Sequence, residues 1–285
     1  MSLVINNNTV ANSAARHLND AYNALGSSTE KMASGLRINS AADDAAGLAV
    51  RELMRSDITT LSQGVRNAND GISMIQTADG ALSVVDEKLI RMKELAEQAS
   101  TGTYTSDQRA LIDQEYQAMA SEITRIASAT DFNGIHLLNG NLDGDEAMVI
   151  HFGTGNDSAE DKYSVEIGSC TASSLGIGNQ STEGAGFTVS TQEQAQASLE
   201  ALDNAITSKD KIRANLGSLE NRLDATISNL EIQAENLQSA ESQISDVDVA
   251  TEMTNYSKQQ IITQSAVAML SSANSLPEMA LQLIG

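Results

Sequence analysis

Three histidines, one cysteine, two short glycine pairs and a few paired acids are the residues of this 285-residue chain that could do chemistry. His17, His136 and His151, with Cys170, could ligate a transition metal only if the fold gathered them. No His-Glu-x-x-His or Cys-x-x-Cys spacing sets two ligands side by side. Gly153-Thr154-Gly155 and Gly176-Ile177-Gly178 could offer backbone N–H groups to a phosphate. Both are too short for a phosphate loop and lack the strand–turn–helix setting and the lysine, so they read as turns. Asp43-Asp44 and Asp246/Asp248 could act as acid–base pairs, but they flank expected helix ends, where capping and the helix dipole favour acids. The ten methionines, Met32, Met92 and Met119 among them, sit at seam spacings and fit gap-filling rather than a ligand box. The expectation is no catalytic, cofactor-binding or metal site.

The elements around these residues are predominantly helical. Aromatics make up 3% of the chain, tryptophan is absent and the single proline is Pro277. Few aromatics argue against a rounded enzyme core, and the scarcity of proline permits very long helices. An elongated shape is implied. The formal charge of −21, from 38 acids and 17 bases, repels nucleic acid and anionic lipid and disfavours both as partners. One cysteine forms no intrachain disulfide. Met1 to Asn8 shows no basic, apolar leader, and no stretch approaches 18 apolar residues, so neither a cleaved signal nor membrane insertion is expected.

Apolar spacing fixes the helices. Leu18, Tyr22, Leu25, Met32 and Leu36, with Thr29 between, follow 4-3 spacing, a coiled-coil seam. Gly35 and Ser40 to Gly47 interrupt it as a connector. A longer seam reads Ile58, Leu61, Val65, Ala68, Ile72, Ile75, Asp79, Leu82, Val85, Leu89, Met92, Ala96, Ala99, with Asp79 its only polar member. As one helix it spans about 60 Å at roughly 1.5 Å per residue. Ile112, Tyr116, Met119, Ile123 and Ile126 mark a third helix, capped near Ser106-Asp107. Two Asn-Gly pairs, Asn133-Gly134 and Asn139-Gly140, signal turns, and two to four strands are expected between Asn139 and about Ser190. Thr171 to Gly186 reads as a polar surface excursion. Helix returns near Thr191 with Leu199, Leu202, Ile206, Ile212, Leu216, Leu219, Leu223, Ile227, Leu230, Ala234, Leu237 and Ile244. A last seam comprises Ile262, Ala266, Met269, Ala273, Leu276, Ala280 and Leu283.

The fold class is therefore mainly α with a small β-region: a coiled-coil or helical-bundle rod of paired N- and C-terminal helices plus a β-hairpin segment. Residues 1–42 and 250–285 form terminal core helices, expected to be disordered in the single chain and ordered in a polymer. Residues 43–249 form an inner rod domain, with helices at about 44–100, 105–129 and 191–245 and a β-region at about 131–190. Leu18, Leu25, Met32, Ile262, Met269, Leu276 and Leu283 are the expected assembly residues. A head-to-tail interface that does not close makes a filament.

Gly35-Leu36-Arg37-Ile38-Asn39-Ser40-Ala41-Ala42-Asp43-Asp44-Ala45-Ala46-Gly47-Leu48-Ala49 closely resembles the N-terminal signature of bacterial flagellins, with Asn39, Ala41, Asp43, Asp44 and Gly47 as its connector. Leu89 to Ala99 resembles the family's inner-domain helix, and Asp131-Phe132-Asn133-Gly134 with Leu137-Leu138 the turn opening its β-region. Ile244 to Met253 and Gln264 to Ala273 are similar to its C-terminal helices. The resemblance covers about 1–170 and 190–285.

It implies a subunit that polymerises into the bacterial flagellar filament for swimming. Outer domains are essentially absent, since only about 15–20 residues fill the gap where they are inserted. It further implies export by the flagellar type III system and an extracellular location. The implied partners are other copies of the chain, hook-associated and cap proteins, an export chaperone and a vertebrate flagellin-sensing Toll-like receptor. The positions matching the receptor contacts are Arg91, Leu95 and Glu115, with Ile90 where receptor-activating members usually carry Gln. Two other readings are a hook–filament junction protein, which the Ala41 to Gly47 signature disfavours, and a secreted hydrolase on a similar frame, for which no catalytic domain has room.

Overall fold

In a computed structural model, the described residues are 7–144, 147–157, 160–178 and 187–284, with side chains described as far as Ser275. Among these residues there are five helices: α1 (Thr9–Ser34), α2 (Ala45–Ser100), α3 (Ser106–Ala129), α4 (Gln192–Ser245) and α5 (Val249–Ile284). Four short strands lie between α3 and α4: β1 (Asp131–Phe132), β2 (Ile135–His136), β3 (Met148–His151) and β4 (Lys162–Val165). They make two antiparallel pairs, β1–β2 and β3–β4. Asn133 and Gly134, at φ 53° and 81°, form the turn between β1 and β2, as the Asn-Gly pair predicts. Of the strands expected after Asn139, β3 and β4 form there.

The chain divides into two compact units, Met1–Ile58 with Glu235–Gly285, and Thr59–Ala234. Composition places boundaries at 42/43 and 249/250. The contacts place them at 58/59, within α2, and at 234/235, within α4, because the first turns of α2 hold to residues before them and to the end of α4. Arg51 Nη1 donates to the Ile38 carbonyl at 2.6 Å, and Arg55 Nε to Glu241 Oε1 at 3.0 Å.

Within the second unit the buried rows keep the heptad period and largely the expected phase, with one line on the first half of α2 shifted by one position. On α2, Leu61, Ala68, Ile75, Leu82, Leu89 and Ala96 recur every seven residues, as do Gly64, Gly71, Ala78, Val85, Met92 and Ala99, and all are buried. Val65, Ile72 and Asp79, expected in the seam, flank it half-buried. The glycines occupy the line because β3 lies over it. A Cβ at Gly64 would sit 2.1 Å from the Phe152 carbonyl oxygen, and one at Gly71 2.3 Å from Ile150 Cδ1. Between them Asn67 Nδ2 donates to the His151 carbonyl at 2.8 Å.

Two further rows follow the same rule. On α3 the inward row is Asp113, Tyr116, Ala120, Ile123 and Ala127, with Ile112, Met119 and Ile126 beside it. On α4 Leu202, Lys209, Leu216, Leu223 and Leu230 are buried at seven-residue intervals. Lys209, which the apolar pattern passed over, fills a seam slot at 2% exposure, its Nζ 2.5 Å from Asp86 and 2.7 Å from Asp210.

The segment after β4 departs from expectation. Thr171 to Gly186 reads as a polar surface excursion, yet Cys170, Ala172, Leu175 and Ile177 are buried. Cys170 N donates to the Leu138 carbonyl at 2.9 Å and Ala172 N to Thr124 Oγ1 at 3.3 Å, which satisfies the inward-turned backbone. The remainder, 179–186, falls outside the described residues. On its return to α4 the chain is pinned by buried Asp113, which accepts from Val189 N at 2.8 Å and Thr188 Oγ1 at 2.9 Å.

Candidate assembly surface

The first unit is built on α1 against α5. Asn8 caps α1, its Oδ1 accepting from Ala11 N, and Gly35 ends it in the left-handed conformation that glycine adopts freely. The buried row of α1 is Ala14, Ala21 and Ser28, with Leu18, Leu25 and Met32 half-buried beside it. Tyr22 and Thr29, which the seam reading included, are exposed. On α5 the row facing inward alternates 4-3 through Glu252, Tyr256, Gln259, Thr263, Ala266, Leu270 and Ala273. Ala14, Ala21 and Ser28 on α1 and Thr263, Ala266 and Ala273 on α5 are small, and rows built largely of them bury little apolar area. Polar ties complete the pairing, with Ser28 Oγ donating to Glu252 Oε1 at 2.5 Å and Asn8 Nδ2 to the Ala273 carbonyl at 2.8 Å.

The rest of α5 is the unusual surface. At 100° per residue, Val249, Met253 and Val267 flank one side of the covered row, Ile262 and Met269 flank the other, and Ile261 lies at the back. All six are exposed, Ile261 at 64% and Met269 at 61%. Large apolar side chains exposed among polar ones on three sides of a helix mark an interaction surface, whereas α1 covers a single stripe. Met269, Ala273, Val10 and His17 line a groove of about 440 Å³ between the two helices. Ile262 and Met269, predicted as seam residues, therefore lie beside the α1-facing row rather than in it, with Met269 at the edge of the groove. The apolar pattern follows bulk, whereas the α1-facing line mixes small residues such as Thr263, Ala266 and Ala273 with Tyr256 and Leu270. Leu276 and Leu283 lie beyond the described side chains.

The connector signature forms a set of turns. Leu36 and Asp246 bridge antiparallel, Arg37 N donates to the Ser245 carbonyl at 2.7 Å, and Val247 N to the Gly35 carbonyl at 3.0 Å. Asp43 accepts from Asn39 N and from Ser40 N, and these amides hold its carboxyl below the usual aspartate range. Asp44 accepts from Gly47 N at 2.9 Å. Gly47 has no room for a side chain, since a Cβ there would lie 2.7 Å from Ile38 Cδ1. Ala41 is exposed. Asp248, N-terminal to α5, is held low by Thr251, whose hydroxyl donates to it at 2.7 Å.

The residues that could do chemistry stay apart. His17 lies on α1, His136 on β2 and His151 on β3. Among the described residues no three His, Cys, Asp or Glu side chains gather as metal ligands, and no described helix is long and apolar enough to cross a membrane. Burial pushes the Cys170 thiol up to about 11, which leaves it protonated and unreactive.

Arg91, Glu115 and Ile90 are exposed and adjacent on α2 and α3. Arg91 Nη2 donates to Glu115 Oε1 at 2.8 Å and Nη1 to Glu94 Oε2 at 2.9 Å. Leu95 is a correction. It is 2% exposed, so its side chain supports this face from beneath rather than presenting a contact.

Comparison with known proteins matches the bacterial flagellin N-terminal helical region to residues 5–143 and the bacterial flagellin C-terminal helical region to residues 199–284. Flagellin FlaB2 of Treponema pallidum (strain Nichols) is 40% identical, over 99% of this chain and 100% of its own length. The flagellar filament 33 kDa core protein of Treponema phagedenis is 39% identical over the same shares. The crystal structure of Bacillus cereus flagellin aligns over 62% of this chain and 94% of its own, at 30% identity and a TM-score of 0.48.

Proposed function

The chain belongs to the bacterial flagellin family, and on that footing we propose that α5 is the surface through which copies of it join. Members of this family are structural, not enzymatic, and polymerise into the extracellular flagellar filament. The observation that carries the proposal is the ring of exposed apolar residues on α5, of which one stripe alone is covered. Neighbouring copies cover the two flanks, and burial of that area drives polymerisation. The terminal helices, 1–42 and 250–285, take most of their order from those neighbours. Seeded elongation tests this. Val267→Asp and Ile262→Asp each place an unpaired charge where a neighbour packs, at a cost of several kcal/mol. Loss of elongation with unchanged circular dichroism is expected; elongation at the parent rate by both variants overturns the assignment.

Export through the flagellar type III system follows from family membership, and the same apolar ring is the part of the chain an export chaperone would cover. Hook-associated and cap proteins would meet the terminal helices at the filament ends. Receptor recognition is a second reading, favoured by the exposed cluster of Arg91, Glu115 and Ile90. Purified unpolymerised chain would signal through a vertebrate flagellin-sensing Toll-like receptor, and Arg91→Ala would reduce that signal; equal signalling by both removes the assignment.

A further inference from the structure

Among the described side chains, the exposed methionines lie on one helix. Among the methionines whose side chains are described, Met74 and Met92 are buried at 1% and 0% exposure, and Met32, Met54, Met119 and Met148 are half-buried. Met253 and Met269 alone are exposed, both on α5 and on its opposite flanks. The single thiol offers no competing chemistry, because Cys170 is fully buried. Among the described thioethers a dissolved peroxide therefore meets these two first, and both stand on the surface that assembly must bury.

We propose that Met253 and Met269 are oxidation sites through which peroxide blocks polymerisation of the free chain. The inference rests on the assembly reading above. Hydrogen peroxide transfers one oxygen atom to the thioether sulfur, the O–O bond breaks and water leaves, so sulfur is oxidised by two electrons and peroxide is reduced by two. The product is a sulfoxide, polar and chiral in place of a flexible apolar group. At the groove beside Val10, Ala14 and His17, or on the Val249 flank, its polar oxygen must be stripped of water when a neighbour packs, at a place where a flexible apolar group packed before. Once a copy is in the polymer the same two sulfurs are covered, so the filament resists an oxidant that disables its free subunit.

Full-length chain treated with hydrogen peroxide, as free subunit and as polymer, tests this by peptide mass spectrometry and seeded elongation. In the free chain Met253 and Met269 oxidise at least tenfold faster than Met74 and Met92, and in the polymer that preference disappears. The oxidised chain elongates seeds at least tenfold more slowly, and methionine sulfoxide reductase restores it. The double variant Met253→Leu/Met269→Leu assembles and keeps its elongation rate after peroxide. Equal oxidation of all four methionines, or undiminished elongation by chain oxidised at both sites, overturns the inference. So does a double variant as peroxide-sensitive as the parent. Failure of untreated chain to elongate at all would instead overturn the assembly reading.

Discussion

Lys209 on α4 reaches Asp86 on α2 across the helix pair, with Nζ 2.5 Å from Oδ1, from a position in the middle of a leucine row. Asp210 holds the same ammonium at 2.7 Å, so the buried cation is shared between two half-wet carboxylates. Three more ties run along the same pair: Lys93–Asp203, Arg213–Asp79 and the hydrogen bond from Gln76 to Glu220. On α2 the members at 79, 86 and 93 repeat every seven residues, so they fix the register of α2 against α4.

Removing one partner of Lys209 should cost more than removing Lys209 itself. Asp86→Ala leaves a buried ammonium with one carboxylate, a loss of about 1–3 kcal/mol. Lys209→Met leaves Asp86 and Asp210 able to reach water and fills the leucine row, so its effect stays within about 1 kcal/mol. Urea unfolding of the two variants gives the order; the reverse order would show the row to be limited by packing rather than charge.

Gly64→Ala tests whether β3 sets the phase of the α2 seam. The added methyl meets a backbone carbonyl rather than a yielding side chain, so the hairpin must move, at a cost of about 1–3 kcal/mol. Gly80→Ala on the same helix meets nothing within 4 Å and should stabilise it by up to about 1 kcal/mol. Thermal melts of the pair should move in opposite directions.

Acid should act through depressed carboxylates. Asp79 is held low by the Arg213 guanidinium, Asp43 by the amides of Ser40 and Asn39, and Asp248 by Thr251. Their folded values lie below their unfolded ones. Their stabilisation is therefore complete above the ordinary aspartate value and fades as pH falls through the depressed values. Urea midpoints should be flat above about pH 5 and fall below about pH 4. Asp79→Asn should shallow that fall, and an unchanged profile would remove Asp79 from the account.

Hydrogen exchange on dilute chain should separate the two units. Amides of α1 and α5, joined through alanine, serine and threonine, should exchange well before those of α2 in the Leu61 to Ala99 rows. Protection of α1 and α5 equal to that of α2 would contradict the division.

Polymerisation should respond to salt, because every added copy brings a charge of −21. Elongation rates that rise between low and physiological ionic strength are expected; a flat response would mean that the charges at the contacts are already paired.

The signature around Asn39 to Gly47 and the helix periods were legible because each depends on local chemistry: caps, turn residues and a seven-residue repeat. Asp113, Lys209 and the burial of Ala172, Leu175 and Ile177 were not, because a polar residue, or an apolar one in a polar segment, signals burial only once its partner is known. Asp113 needs the amide of Val189, 76 positions away, and Lys209 needs Asp86.

By itself the sequence determined five helices, a short β-region and stripes repeating every seven residues, since period and capping belong to the chain. The tertiary structure decided which line of each stripe lies innermost. Where backbones approach closely, only Gly64, Gly71, Ala14, Ala21, Ser28 or Ala266 fit, and the bulkier Val65, Ile72, Leu25 and Ile262 are displaced to the flanks. That one-position shift moves Ile262 and Met269 off the buried line of α5, and the distance between two backbones, which no single segment encodes, sets it.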